Sequence, residues 1–178
     1  MNTMPRIKPL TKEQSSGQIK EIFEGMSKQF GIVPNLFATI AKYPQALKPM
    51  LDLLQALAKK SEISFKLQEL ANLEVSRINR CNYCLTHHGR MARIQGLNKT
   101  QIETLKKGTV VENLSDKEKT VVEYSRQVTL DAESVSDELF NRLKSHFSDS
   151  QIVNLTLIIG VMNIFNRFNG ALGVELEK

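Results

Sequence analysis

All five prolines of this 178-residue chain lie within its first 49 residues. Proline removes a backbone donor and breaks helices from inside, so everything after Pro49 is free to form continuous helices with short joints. Helix-start signals recur there: Ser64 ahead of Leu67, Leu70 and Leu73; Ser115-Asp116-Lys117-Glu118 ahead of Val121, Val122 and Tyr124; Ser148-Asp149-Ser150-Gln151 ahead of an apolar run. A serine oxygen accepts from the unpaired N–H groups of a first turn, and a Glu or Gln three residues on reaches back to the cap, so each pattern opens a helix. Gly108-Thr109-Val110-Val111 is the nearest approach to a strand and is too short to build a sheet. The expected fold class is all-α.

The proline-bearing start reads differently. Thr11-Lys12-Glu13-Gln14 has capping-box spacing and predicts a helix in which Ile19, Ile22, Phe23, Met26 and Phe30 share a face before Gly31. Pro34 and Pro44 then punctuate two short helical stretches. Residues 1–33 are expected to form an N-terminal arm or helix and residues 34–178 the main helical domain. Near the other end, the segment from about Gln151 to Phe168 is apolar on nearly every face, and a helix apolar all round must be buried all round. In a chain of this size that points to a homo-oligomer whose interface includes this helix, over a central helix in a monomer. Asn154, Thr156 and Asn163 interrupt the run, which falls short of the ~18–20 clean apolar residues of a membrane span.

Charge excludes one class of partner. Lys and Arg number 24 against 19 Asp and Glu, a net +5, and no basic run exceeds the pairs Lys59-Lys60 and Lys106-Lys107. Nucleic-acid binders concentrate basic residues on one face or carry a reading motif, so no nucleic-acid partner is expected. Met1 to Pro5 lead into polar sequence without the apolar core of a signal peptide, so a cytoplasmic location is expected and no membrane.

The two cysteines of the chain, Cys81 and Cys84, are followed closely by His87 and His88. If residues 82–95 are helical, with Gly96 ending the helix, then Cys81, Cys84 and His88 fall on one face, while His87 points away. A Cys-x-x-Cys at a helix start is the minimal reversible redox pair, because the N-terminal N–H groups and the helix dipole favour a thiolate. His88, one turn beyond Cys84, is within reach of its thiol proton. An antiparallel hairpin about Asn79-Arg80 places residue 88 level with residues 70–72 of the preceding helix, which makes Glu69 the nearest carboxylate to orient His88 and Glu74 the second candidate. Cys81 stands by to resolve. Arg77, Arg80, Arg90 and Arg93 bracket the motif and either make it electropositive or simply solvate the surface.

Glu69, then Cys81-Asn82-Tyr83-Cys84, then His87-His88 resembles the alkylhydroperoxidase D-like family within the carboxymuconolactone decarboxylase superfamily. The tail, Phe165-Asn166-Arg167-Phe168-Asn169 with Ala171-Leu172-Gly173, resembles its peroxidase-related branch. The resemblance covers roughly residues 35–175. It implies an all-α helical bundle, trimers or hexamers, and thiol-dependent reduction of a small hydroperoxide. In that reading Cys84 attacks, Cys81 resolves, His88 is the base and Glu69 completes the relay. No cofactor is implied; a dithiol or lipoyl-type electron donor recharges the pair. Tyr83 stands where the founding peroxidase has histidine. Three alternatives remain open: a carboxymuconolactone-type decarboxylase, which needs no cysteine pair; a zinc site built on Cys81, Cys84 and a histidine, completed by a second copy; and a non-catalytic redox-responsive helical oligomer.

Overall fold

The computed structural model describes residues 5–59, 61–109 and 113–177, and among these every regular element is helical. They group into two compact units: Met1–Ala58 with Phe168–Lys178, and Lys59–Arg167.

The first unit begins with α1 (Gly17–Phe30), α2 (Asn35–Ile40) and α3 (Pro44–Lys59). Thr11 and Gln14 do exchange their reciprocal bonds, at 3.2 and 3.3 Å. They close a turn rather than open a helix, because Ser15 Oγ donates to the Lys12 carbonyl at 2.6 Å and competes with helical propagation. The helix starts at Gly17 and buries Phe23 and Met26, while Phe30 stays exposed. Pro44 takes the first position of α3, where its missing N–H is harmless. Pro49 lies inside the same helix, so this stretch runs for 16 residues instead of a short one. The C-terminal segment straps the unit: Asn35 N, at the start of α2, donates to Glu177 Oε1 at 2.7 Å, and Arg6 N donates to Leu172 O at 3.0 Å.

The second unit holds α4 (Phe65–Ile78), α5 (Asn82–Ile94), α6 (Lys99–Lys107), α7 (Asp116–Leu130), α8 (Asp137–His146) and α9 (Asp149–Leu172) as far as Arg167. Ser64 caps α4, the Ser115–Glu118 box closes on α7, and Ser148 and Gln151 exchange bonds at the start of α9. Asn98–Gln101 and Ser136 cap α6 and α8 by the same chemistry. Gly108, at φ +75°, ends α6; Val110 and Val111 of the strand candidate lie outside the described residues.

Within one chain the helix surrounded on all sides is α4. Ten consecutive residues, Leu67 to Ser76, are buried, and α5, α6 and α7 pack around it. Leu70 and Leu73 have no exposed surface, and truncating either to alanine costs about 2–5 kcal/mol. By contrast α9 leaves Val153, Leu157 and Ile164 exposed by 60%, 48% and 51%. By length and composition alone α9 is able to cross a membrane. Its polar residues instead tie it into the unit: Asn154 accepts from Ser61 Oγ at 2.6 Å, and Thr156 pairs with the Tyr124 hydroxyl at 2.8 Å.

Candidate active site

The joint between α4 and α5 fixes the first cysteine. Arg80 N donates to Arg77 O and Cys81 N to Ser76 O, at 3.0 and 2.9 Å, the pair of bonds that closes a helix when the first of the two donor residues turns left-handed. That residue is Arg80, at φ +55°, a conformation glycine adopts freely and other residues at a cost of roughly 1–2 kcal/mol. The joint is braced from α9: Asn79 Nδ2 donates to Asn163 Oδ1 and Asn166 Oδ1 at 2.8 and 3.1 Å, and Asn166 Nδ2 donates to Ser76 Oγ at 3.1 Å. Cys81 is then the N-cap of α5, its carbonyl accepting from Leu85 N at 2.9 Å, and Cys84 is the third helical residue. Both cysteines are buried. Thiols in a first helical turn face N–H groups and a dipole that favour negative charge.

One turn beyond Cys84, His88 Nδ1 lies 2.8 Å from Glu69 Oε2. The hairpin therefore brings together the two residues that its register pairs, and α5 carries Cys81, Cys84 and His88 along the face turned to α4. Glu69 is buried and His88 about one-fifth exposed. A carboxylate only accepts, so Nδ1 holds the hydrogen of this bond and Nε2 is left to exchange a proton. Asn72, one turn along α4, places its amide 3.4 Å from the same Nδ1. His87, on the other side of α5, packs its ring against buried Tyr83 at 4.6 Å between centroids.

The other candidates separate from this group. Glu74 is buried under two guanidiniums, with Arg77 bidentate at 2.9 and 2.7 Å and Arg126 Nε at 2.6 Å. Burial, the largest single influence, pushes its carboxyl up, but the hydrogen bonds from Arg77 and Arg126 together hold it below the usual range. Arg77 is thus committed to Glu74 and does not serve the cysteines. Arg90 and Arg93 join Lys99 and Lys106 around a groove of about 290 Å³ that also touches Thr86 and Gly89, on the side of α5 away from His88. His146 pairs with Asp116 at 2.8 Å. Among the described residues no three His, Cys, Asp or Glu side chains cluster to hold a metal.

Two residues escaped the sequence reading. Asn72 shares α4's inward stripe with Glu69 at helical spacing, and a polar amide on a helix that is otherwise core was the available signal. Asn166 belongs to the quoted tail motif, but only the fold shows that it braces the turn before Cys81.

The sequence matches the carboxymuconolactone decarboxylase family over residues 44–127, a span that includes Glu69, Cys81, Cys84 and His88. It is 34% identical over 131 residues to the uncharacterized protein YdfG of Bacillus subtilis (strain 168), covering 73% of this chain and 88% of that protein. The crystal structure of an alkylhydroperoxidase AhpD core, an uncharacterized peroxidase-related protein from Ralstonia eutropha JMP134, matches with a TM-score of 0.89 at 19% identity, over 100% of this chain and 95% of that one. The debrominase Bmp8 matches with a TM-score of 0.81 at 21% identity, over 99% and 94%. At such identities these two likenesses speak for the fold alone.

Proposed function

Because the chain belongs to the carboxymuconolactone decarboxylase family, in its alkylhydroperoxidase D-like branch, we propose that it is a thiol-dependent peroxidase that reduces organic hydroperoxides. The observation that carries this reading is the 2.8 Å bond from His88 to Glu69, one helical turn from Cys84 on a shared face. Cys84 gives its thiol proton to His88 Nε2, and the thiolate attacks the distal peroxide oxygen. The O–O bond breaks, leaving a sulfenic acid on Cys84 and an alkoxide that takes the proton back from His88 to become the alcohol. The Cys81 thiol then displaces water from the sulfenic acid to form the disulfide, and an external dithiol or lipoyl-type donor, oxidised in turn, restores both thiols. The cycle uses no bound cofactor and suits the reducing cytoplasm.

The same chain assembles as a homo-oligomer in this reading. Val153, Leu157, Gly160 and Ile164 repeat at spacings of four, three and four along the outer face of α9, the pattern of a helix-to-helix seam.

The test is to mix reduced protein with one equivalent of cumene hydroperoxide and follow free thiols and intact mass over seconds. Wild type should lose two hydrogens, and Cys84→Ser should keep its mass. Thiols that persist for hours in the wild type rule the peroxidase out. Bromide release from a brominated pyrrole in a parallel sample would instead favour reductive dehalogenation, the type of reaction the name of the fold neighbour Bmp8 describes.

A further inference from the structure

A helix enclosed over ten residues must satisfy every polar side chain it buries, and α4 buries five: Gln68, Glu69, Asn72, Glu74 and Ser76. Four are met by strong partners. Gln68 donates to the Ile63 carbonyl at 2.8 Å, Glu69 accepts from His88, Glu74 accepts from two arginines, and Ser76 accepts from Asn166. Asn72 is the exception. It is 8% exposed, one end of its amide touches His88 Nδ1 only at 3.4 Å, and its Oδ1 is buried with no hydrogen-bond partner among the described residues.

The orientation of a primary amide is decided by what its two ends face. His88 Nδ1 already holds the hydrogen it gives to Glu69, so an N–H of Asn72 has nothing to donate to there. Turned about its terminal bond, the amide sets its oxygen beside that N–H and its NH₂ at the unpartnered position. A buried NH₂ with two unmet donors costs on the order of 1–3 kcal/mol unless an acceptor arrives.

Register says where that position lies. Glu69 stands opposite His88, and Cys81 N donates to Ser76 O, so on this antiparallel pair residue 72 falls at the level of residue 85, between the levels of Cys84 and His88. Resting on the peroxidase reading above, we propose that Asn72 is a catalytic residue, donating a hydrogen bond from its amide to the hydroperoxide oxygen that leaves as alkoxide. The attack of Cys84 drives electrons onto that oxygen until His88 protonates it. A fixed buried donor aimed there stabilises the transition state more than the neutral peroxide.

The test separates this role from support of His88. Wild type, Asn72→Ala and the near-isosteric Asn72→Leu are compared in two single-turnover reactions: alkylation of Cys84 by iodoacetamide across a range of pH, and oxidation by cumene hydroperoxide. Alkylation needs the thiolate but forms no alkoxide. The assignment expects at least one folded variant to keep the wild-type alkylation profile while its oxidation slows by about 100-fold, the usual effect of losing one such donor. Oxidation at the wild-type rate overturns it. A parallel loss in both reactions with a displaced pH profile also overturns it, and makes Asn72 a positioning residue for His88. If wild type alkylates normally but ignores the hydroperoxide, the peroxidase reading itself has failed, an outcome distinct from either of the others.

Discussion

Glu69 and His88 stand 19 residues apart in the chain and meet at 2.8 Å, with the carboxylate on the nitrogen that points away from the proton-exchanging edge of the ring. Replacing His88 with alanine should slow the reaction of Cys84 with hydroperoxide by about 10²–10⁴-fold, the range for loss of a positioned acid–base. Glu69→Gln keeps a hydrogen-bond acceptor and loses the charge that favours the imidazolium, so a smaller loss in the same direction is expected. Stopped-flow oxidation rates at fixed pH measure both. Equal rates for Glu69→Gln and wild type would reduce Glu69 to a packing residue.

The two cysteines should fail differently. Cys81→Ser retains the attacking thiol without its resolving partner, so one equivalent of hydroperoxide should leave an added oxygen on the intact mass, trapped by dimedone. Cys84→Ser should show neither oxygen nor disulfide. The reverse pattern would assign attack to Cys81.

Glu74 contributes to stability in a pH-dependent way. Its carboxyl is held below the usual range in the folded protein, so its stabilisation is fully present above the unfolded value of about 4.3 and fades as pH falls toward the lower folded value. Thermal melts should therefore steepen in their decline below about pH 4, and Glu74→Gln should flatten that decline while lowering the melting temperature at neutral pH. Removing both Arg77 and Arg126 strips a buried carboxylate of its partners and should cost about 3–5 kcal/mol at pH 7 by chemical denaturation.

Backbone sign predicts opposite outcomes at two ends of one side chain's neighbourhood. Arg80→Gly relieves a left-handed residue and should leave the protein as stable or more so, by up to about 1 kcal/mol after the added freedom of the unfolded chain is subtracted. Gly108→Ala meets both a left-handed φ and the guanidinium of Arg77, 2.7 Å from the new Cβ, and should destabilise by more than about 1 kcal/mol. Urea midpoints for the two variants that move in the same direction would contradict this account.

The exposed stripe of α9 has a direct test. Leu157→Glu and Ile164→Arg place charges on the proposed seam without entering the core. Sedimentation should show a smaller assembly than wild type, with circular dichroism unchanged. A wild-type protein that sediments as a monomer removes the proposal.

Most helix starts were legible because a cap is a local event, written in two residues three apart. Thr11–Gln14 shows the limit of that grammar: its bonds form, but Ser15 diverts the backbone and the helix waits for Gly17. Periodicity did not show that α4 is the helix enclosed within one chain, since apolar residues on all sides say what a helix tolerates and not which neighbours it receives. α4 is the enclosed one although half of its ten buried residues are polar, because each polar group but Asn72 finds a strong partner, nearby for Gln68 and far away in sequence for Glu69, Glu74 and Ser76. For the same reason the Glu69–His88 pair followed from hairpin register, whereas Arg126 reaching Glu74 and Asn166 reaching Ser76 did not.

Cys81 is held by the main chain on both sides, its N–H closing one helix and its carbonyl opening the next. Such a residue has no backbone freedom to lend to a reaction. In the peroxidase cycle proposed above its sulfur would approach Cys84 by turning about its own side-chain bond, so the oxidised and reduced proteins would share one scaffold with no unfolding step between them. Turnover would then be paced by the arrival of hydroperoxide and reductant, and a slow conformational gate in the kinetics would have to originate elsewhere in the molecule.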